Sequence, residues 1–183
     1  HDTVRRQRQM CIRDRYDLLP QDGDTCLYLG AGHGTSLSHI HDQVCGSDNQ
    51  KNGRIIAVDL SPRCLRDLVH LASLRPGLVP VLGDARKHSA WGIMVASKVD
   101  WLLQDVSQAG QAEIFINAVK RFLKKGGKGL LSLKAASERF NEGGEREVFQ
   151  NVREQLEDAG LTIEEQIDLH GLEDNHCLYF VTN

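Results

Sequence analysis

Apolar positions along the chain fall into short continuous runs, and these alternate with stretches of helical spacing. Organised sequence begins near Tyr16. LLPQDGD (18–24) reads as a turn, with Pro20 and Gly23 as punctuation, leading into a first strand, CLYLG (26–30). A helix is expected over 36–44, then a polar loop (46–53) and a second strand, RIIAVDL (54–60). Ser61 suits a helix cap with Pro62 in first position, and Leu65, Leu68, Val69 and Ala72 keep the helical period behind them. Third and fourth strands are expected at LVPVLGDA (78–85) and VDWLLQDV (99–106). The stripe Ile114, Ala118, Val119 and Phe122 predicts a helix from about 108 to 123, ended by KKGGKG (124–129). GLLSLKA (129–135) is the fifth strand, 147–159 an amphipathic helix stopped by Gly160. TIEEQIDL (162–169) and HCLYFVT (176–182) read as an antiparallel pair at one edge. The alternation predicts one α/β domain over 16–183, its sheet mostly parallel and covered by helices on both faces.

In such sheets the ligand crevice lies beyond the C-terminal ends of the strands. The residues falling there are Gly30 to Thr35, Asp59, Asp84, Asp105 and Lys134. Gly30, Gly32 and Gly34, between a strand and a helix, let a backbone turn tightly and approach a ligand. By themselves they fit a nicotinamide or flavin site, or a structural turn, as well as any other. Asp59 ends the second strand, where a carboxylate can accept both ribose hydroxyls of a nucleoside or simply cap a helix. Asp84, in GDA, suits the exocyclic amine of an adenine or a plain turn. The four strand ends together favour S-adenosylmethionine. A dinucleotide enzyme usually needs a longer chain with a substrate domain, and no GxxxxGK[ST] loop is present for ATP.

Asp105 and Lys134 supply candidate chemistry. A lysine at a strand end can stabilise alkoxide character on a hydroxyl nucleophile, and a neighbouring carboxylate can orient both or help take the proton. A solvent-facing lysine is the plainer alternative for Lys134. His176 opens the last strand and Glu173 precedes it; either can help position a sugar, or sit idle at the edge. No metal site is expected: His39 and His41 are two apart on a helix and face differently, and neither HExxH nor zinc spacing occurs.

Charge and cysteine usage narrow the setting. With 22 Lys+Arg against 25 Asp+Glu, the net charge is -3, whereas a protein that grips nucleic acid unaided is often basic. A local patch near Arg63, Arg66, Arg75, Arg86 and Lys87, or partner subunits, has to supply the positive field if the ligand is RNA. Cys11, Cys26, Cys45, Cys64 and Cys177 are scattered and odd in number, which suits reduced intracellular thiols. No apolar run is long enough for a membrane span.

With these residues in view, the chain resembles the fibrillarin family, in particular its archaeal fibrillarin-like RNA 2'-O-methyltransferases, over about residues 20–182. YLGAGHGTSLSHIHD is similar to the family's first motif, with Thr35, Ser36, Ser38 and His39 in its threonine-rich tail. AVDLSPRCLRDLVHLASLRPGLVPVLGDAR is similar to the stretch through the second and third strands, with Asp59 where the family commonly has glutamate. DVSQAGQAEIFINAVKRFLKKGG, LLSLKA and LEDNHCLYFV resemble the segments of the catalytic aspartate, the catalytic lysine and the terminal histidine.

The resemblance implies a Rossmann-like S-adenosylmethionine-dependent methyltransferase fold with a seven-stranded sheet. It implies cofactor binding by Gly30, Ala31, Gly32, Gly34, Thr35, Ser36, Asp59, Leu60, Asp84, Ala85, Asp105 and Gln108, and catalysis by Asp105, Lys134 and His176. The implied reaction is methylation of ribose 2'-hydroxyls in rRNA, and also tRNA, directed by a box C/D guide RNA. The implied partners are a Nop5-like (Nop56/58-like) scaffold and an L7Ae-like protein, with no membrane. The setting would be cytoplasmic in an archaeon and nucleolar in a eukaryote. A small-molecule or protein methyltransferase, or a catalytically impaired assembly subunit, are the alternatives.

Beside the resemblance stand a tail and two departures from the family pattern. Residues 1–15 read as a disordered or artefactual tail, since MCIRDR resembles a translated sequencing adapter. The family's small N-terminal domain and its lysine upstream of the first strand have no counterpart before Lys51, so a truncated gene is expected. Asn175 stands where the family generally has aspartate.

Overall fold

The computed structural model describes residues 16–138, 144–170 and 175–183. The expected tail (1–15) and Glu173 lie outside the described residues. Seven strands form one sheet: β1 (Thr25–Leu29), β2 (Arg54–Asp59), β3 (Leu78–Leu82), β4 (Val99–Gln104), β5 (Leu123–Lys134), β6 (Thr162–Asp168) and β7 (His176–Thr182). Their order is β3-β2-β1-β4-β5-β7-β6, with β7 antiparallel to both its neighbours and the other pairs parallel. The helices are α1 (Thr35–Val44), α2 (Pro62–Leu74), α3 (His88–Trp91), α4 (Gln111–Phe122) and α5 (Gly144–Asp158).

Two apolar layers follow from the two-residue period of the strands. Along β1, Cys26 and Tyr28 face the layer completed by Leu37 and Val44 of α1 and Leu68 of α2. Leu27 and Leu29 face the other layer, where Phe115 and Val119 of α4 and Val152 and Leu156 of α5 pack. Burying one such Leu or Phe contributes about 1.5–3 kcal/mol. The fold is thus the Rossmann-like methyltransferase arrangement, and β6 and β7 form the expected antiparallel pair.

Several boundaries move for identifiable reasons. β3 ends at Leu82, because Gly83 turns the chain away while its N–H bonds the Asp59 carbonyl. The helix expected from 108 starts at Gln111, after Gly110 at φ +77°, a left-handed conformation that halts helix growth backwards. β5 begins at Leu123 with no intervening loop: Leu123 is fully buried opposite Val99, and Gly126 and Gly127 bond the backbone of Asn183. α5 starts earlier than expected, at Gly144. The short α3 has no counterpart in the apolar periodicity; Trp91 anchors it by stacking on Phe122 and donating its indole N–H to the Asp84 carbonyl at 2.8 Å.

The order β2-β1-β4 makes the gap between β1 and β4 the point where chain connections diverge to opposite sides, the place at which such sheets open a crevice.

Candidate active site

A cavity of about 330 Å³ opens at that point, lined by the ends of β1, β2, β4 and β5 and the turn after β3. Gly30 leaves β1 at φ +81°, and a Cβ there would stand 2.2 Å from the Asp105 carbonyl oxygen. Only glycine allows the loop to cross so close to β4. The Asp59 carboxylate then fixes the loop: Oδ2 accepts the Gly32 N–H at 2.8 Å and Oδ1 accepts the Ser61 N–H at 2.8 Å. On the loop's outer side, His33 Nδ1 lies 2.6 Å from Asp67 Oδ2 and its Nε2 3.6 Å from Cys64 Sγ, tying the loop to α2. The hydrogen bond from His33 lowers the Asp67 pKa.

Asp84 sits beneath the rim. Its Oδ1 accepts from Gln108 Nε2 at 3.1 Å and its Oδ2 from Arg86 Nη2 at 2.8 Å. The Arg86 guanidinium, chiefly through these hydrogen bonds, holds the Asp84 carboxyl well below the usual carboxylate range. Gln108 lines the cavity, and its Oε1 is a buried acceptor with no hydrogen-bond partner among the described residues.

Lys134, at the tip of β5, brings its Nζ to 3.1 Å from Asp105 Oδ1 and 3.2 Å from Ser107 Oγ. Both partners of this ion pair are largely shielded, with side chains 24% and 13% exposed, so water screens their attraction less than on an open surface. The pair can present an ammonium to an oxygen that gains negative charge.

Of the residues singled out from the sequence, Gly30, Gly32, Asp59, Leu60, Ala85, Asp105, Gln108 and Lys134 line the cavity. Ala31 is buried behind the loop, Gly34 is the residue before α1, and Thr35 and Ser36 are the first residues of that helix; none of the four lines it, nor does Asp84, which touches Gln108 instead. His176 pairs in register with Lys134 across β5 and β7 but is not in the cavity wall. Val58, Gly83, Val106 and Ser107 line it without having been anticipated. Strand-end position would have found Val58, Gly83 and Val106, the last residue of the expected fourth strand, although β4 stops at Gln104; Ser107 lies in the loop beyond with no spacing signal.

Three of the five cations in the expected basic patch face carboxylates: Arg66 meets Asp67, Arg75 meets Asp42 and Arg86 meets Asp84. Among the described residues, no group of three His, Cys, Asp or Glu side chains could hold a metal ion, and no helix is long and apolar enough to cross a membrane.

The fibrillarin family model matches residues 11–183. A fibrillarin-like rRNA/tRNA 2'-O-methyltransferase of Methanocaldococcus jannaschii is 37% identical over 153 residues, covering 84% of this chain and 63% of that protein. Among solved structures, Aeropyrum pernix fibrillarin in complex with natively bound S-adenosyl-L-methionine superposes with a TM-score of 0.76 at 33% identity, over 88% of this chain and 67% of that one. A fibrillarin/Nop5p complex superposes with a TM-score of 0.76 at 31% identity, over 88% of this chain and 73% of that one. The chain spans about two thirds of the length of the curated relatives it matches.

Proposed function

The chain belongs to the fibrillarin family, and from that premise we propose that it binds S-adenosylmethionine and methylates ribose 2'-hydroxyls of rRNA or tRNA. The observation that carries this reading is the Lys134–Asp105 ion pair, set in the wall of the same cavity as the glycine loop. A relative solved with S-adenosyl-L-methionine natively bound supports the cofactor.

The cavity's chemistry suits that cofactor. Leu60, Val58, Val106 and Ala85 offer apolar surface for a base, and Asp59 offers a carboxylate to ribose hydroxyls. When bound, S-adenosylmethionine supplies an electrophilic methyl group on a sulfonium, whose good leaving group needs no metal.

The residues supply the rest. An ammonium has three N–H groups; Ser107 Oγ engages one and Asp105 Oδ1 stands 3.1 Å away as the counter-ion, which leaves an N–H for the substrate oxygen. Lys134 would stabilise the negative charge that develops on the 2'-oxygen during transfer, and Asp105 would hold the ammonium in place. The hydroxyl proton leaves to Asp105 or to water. Correct placement of hydroxyl against methyl provides much of the remaining rate.

The same reading extends to the particle. Site choice by a box C/D guide RNA, docking on a Nop5-like scaffold and association through it with an L7Ae-like protein explain how a chain of net charge -3, with much of its basic patch already paired, can work on RNA. A family member solved with Nop5p supports the scaffold. The test is transfer of a labelled methyl group from S-adenosylmethionine to RNA, with the chain reconstituted with guide RNA and partner proteins. A guide-dependent 2'-O-methyl group at the paired nucleotide supports the reading. Transfer that ignores guide and scaffold, or transfer to protein or small molecules alone, overturns it.

A further inference from the structure

The fifth strand runs past the end of its neighbour. Register pairing of β5 with β4 stops at Leu131, opposite Gln104. Lys134 therefore extends beyond β4, yet both polar groups of its backbone are satisfied on that side by one side chain. Gln111 Oε1 accepts the Lys134 N–H at 3.0 Å, and Gln111 Nε2 donates to the Lys134 carbonyl at 2.9 Å. A carboxamide presents acceptor and donor much as a peptide does, so Gln111 stands where a longer β4 would have put its backbone.

Gln111 is itself held from every side. It is fully buried. Gln104 Nε2 donates to its carbonyl at 2.8 Å. Glu138 Oε1 accepts both its backbone N–H, at 2.9 Å, and its Nε2, at 3.0 Å, while Glu138 Oε2 accepts the Gly110 N–H at 3.0 Å. On the opposite side of β5, the Ala135 N–H donates to the Asn175 carbonyl at 2.8 Å, so the strand tip is pinned from both directions. Gln104 immediately precedes Asp105. The chain of bonds Gln104–Gln111–Lys134 therefore ties the backbone leading into Asp105 to the backbone that carries Lys134, beneath the ion pair that the two side chains form.

We propose that Gln111 is a positioning residue for the reaction: by pairing with both groups of the Lys134 backbone it sets where the ammonium stands relative to Asp105. The inference rests on the reading of Lys134 and Asp105 as the groups that assist methyl transfer. Lysine is long and flexible, and a strand tip paired on one side only is free to fray; two bonds to one residue on the open side remove the backbone share of that freedom. Capping of α4 would explain the Glu138 contacts with Gly110 and Gln111, but a cap has no use for the pairing between Gln111 and Lys134.

Gln111→Met tests this, because it keeps length and approximate volume and removes both bonds. The primary readout needs no turnover. The Lys134 amine is acylated with a soluble active ester in the intact chain and followed by mass spectrometry, with exposed Lys120 as internal reference. The expected result is a several-fold faster acylation of Lys134 with Lys120 unchanged and the circular dichroism spectrum retained. In the methylation assay kcat falls about 10²-fold while KM for S-adenosylmethionine stays nearly constant, a split that general loosening of the fold would not produce.

Glu138→Gln provides a second variant outside the core, and it should give an intermediate rise in Lys134 acylation because the oxygen that orders Gln111 is weakened. Unchanged acylation of Lys134 in both variants overturns the proposal. Absence of methyl transfer by the wild-type protein would count against the reading of the site, and the acylation comparison would still decide the role of Gln111.

Discussion

Asp59 accepts the Gly32 N–H at 2.8 Å, so the end of the second strand holds the glycine loop that leaves the first. Its other oxygen takes the Ser61 N–H ahead of α2, and one carboxylate thereby sets two turns on the cavity rim. Asp59→Asn keeps only one acceptor oxygen and turns an amide donor toward one of these N–H groups. The expected loss is about 1–3 kcal/mol of stability, together with weaker S-adenosylmethionine binding, measured by denaturant unfolding and calorimetry. Unchanged values for both would mean that the loop holds itself.

Gly30→Ala is expected to be worse. It requires a left-handed backbone from a residue with a side chain and places that side chain against the Asp105 carbonyl. The backbone penalty alone is about 1–2 kcal/mol, and relief of the contact has to move the strand end that carries Asp105. Thermal unfolding should shift down and cofactor binding should be lost. Gly110→Ala is the control, since its Cβ meets nothing within 4 Å while its φ is also positive.

Lys134→Ala should abolish methyl transfer by about 10²- to 10⁴-fold and leave S-adenosylmethionine affinity within a few-fold of wild type. Lys134→Arg should rescue little, because a planar guanidinium does not reproduce the short-range geometry of an ammonium between Asp105 and Ser107. Substantial transfer by Lys134→Ala would remove the lysine from the mechanism.

Arg86 lowers the pKa of Asp84 in the folded protein. A depressed folded-state pKa means that the associated stability is present above the unfolded value, about 3.9, and is lost as pH falls below it. Arg86→Ala should therefore be less stable than wild type near neutrality, with the difference closing in acid. Parallel unfolding curves across pH measure this, and a gap that persists undiminished in strong acid would assign the Arg86 effect to packing.

His88 adds a second acid-sensitive element of the same sign, at a higher pH. Burial, helped by the positive charge of Arg121, lowers its pKa, and its ring lies edge-on to Trp91 and Phe122. Stability from the neutral ring is fully present above about pH 6.5 and declines as pH falls through the lowered folded-state value. His88→Phe should flatten the dependence of Tm between about pH 7 and pH 5. An unaltered slope would place the titrating group elsewhere.

The fold and most of the cavity wall were readable from residue types and order, because strand ends in a parallel sheet converge wherever the sequence puts them. Asp105 and Lys134 could be paired in advance for that reason. What escaped was set by contacts between distant segments. Trp91 turns an otherwise undistinguished stretch into α3 only because Asp84 offers a carbonyl and Phe122 a ring. Gln111 looks like an ordinary polar residue in the first turn of an amphipathic helix, and its burial against Lys134 depends on β4 stopping short. Thr35 and Ser36 sit beside the glycines in sequence, yet the turn of α1 carries them away from the cavity.

The antiparallel β7 lies between β5 and β6, although it follows both in the chain. During synthesis β6 leaves the ribosome ahead of the strand it pairs with, and its backbone groups stay in water until β7 follows. The β5 edge waits too, including the tip that carries Lys134. Closure of the sheet therefore waits for β7 to clear the exit tunnel, and the strand tip that carries Lys134 gains its neighbour on that side only then, after the strands of the glycine loop have emerged.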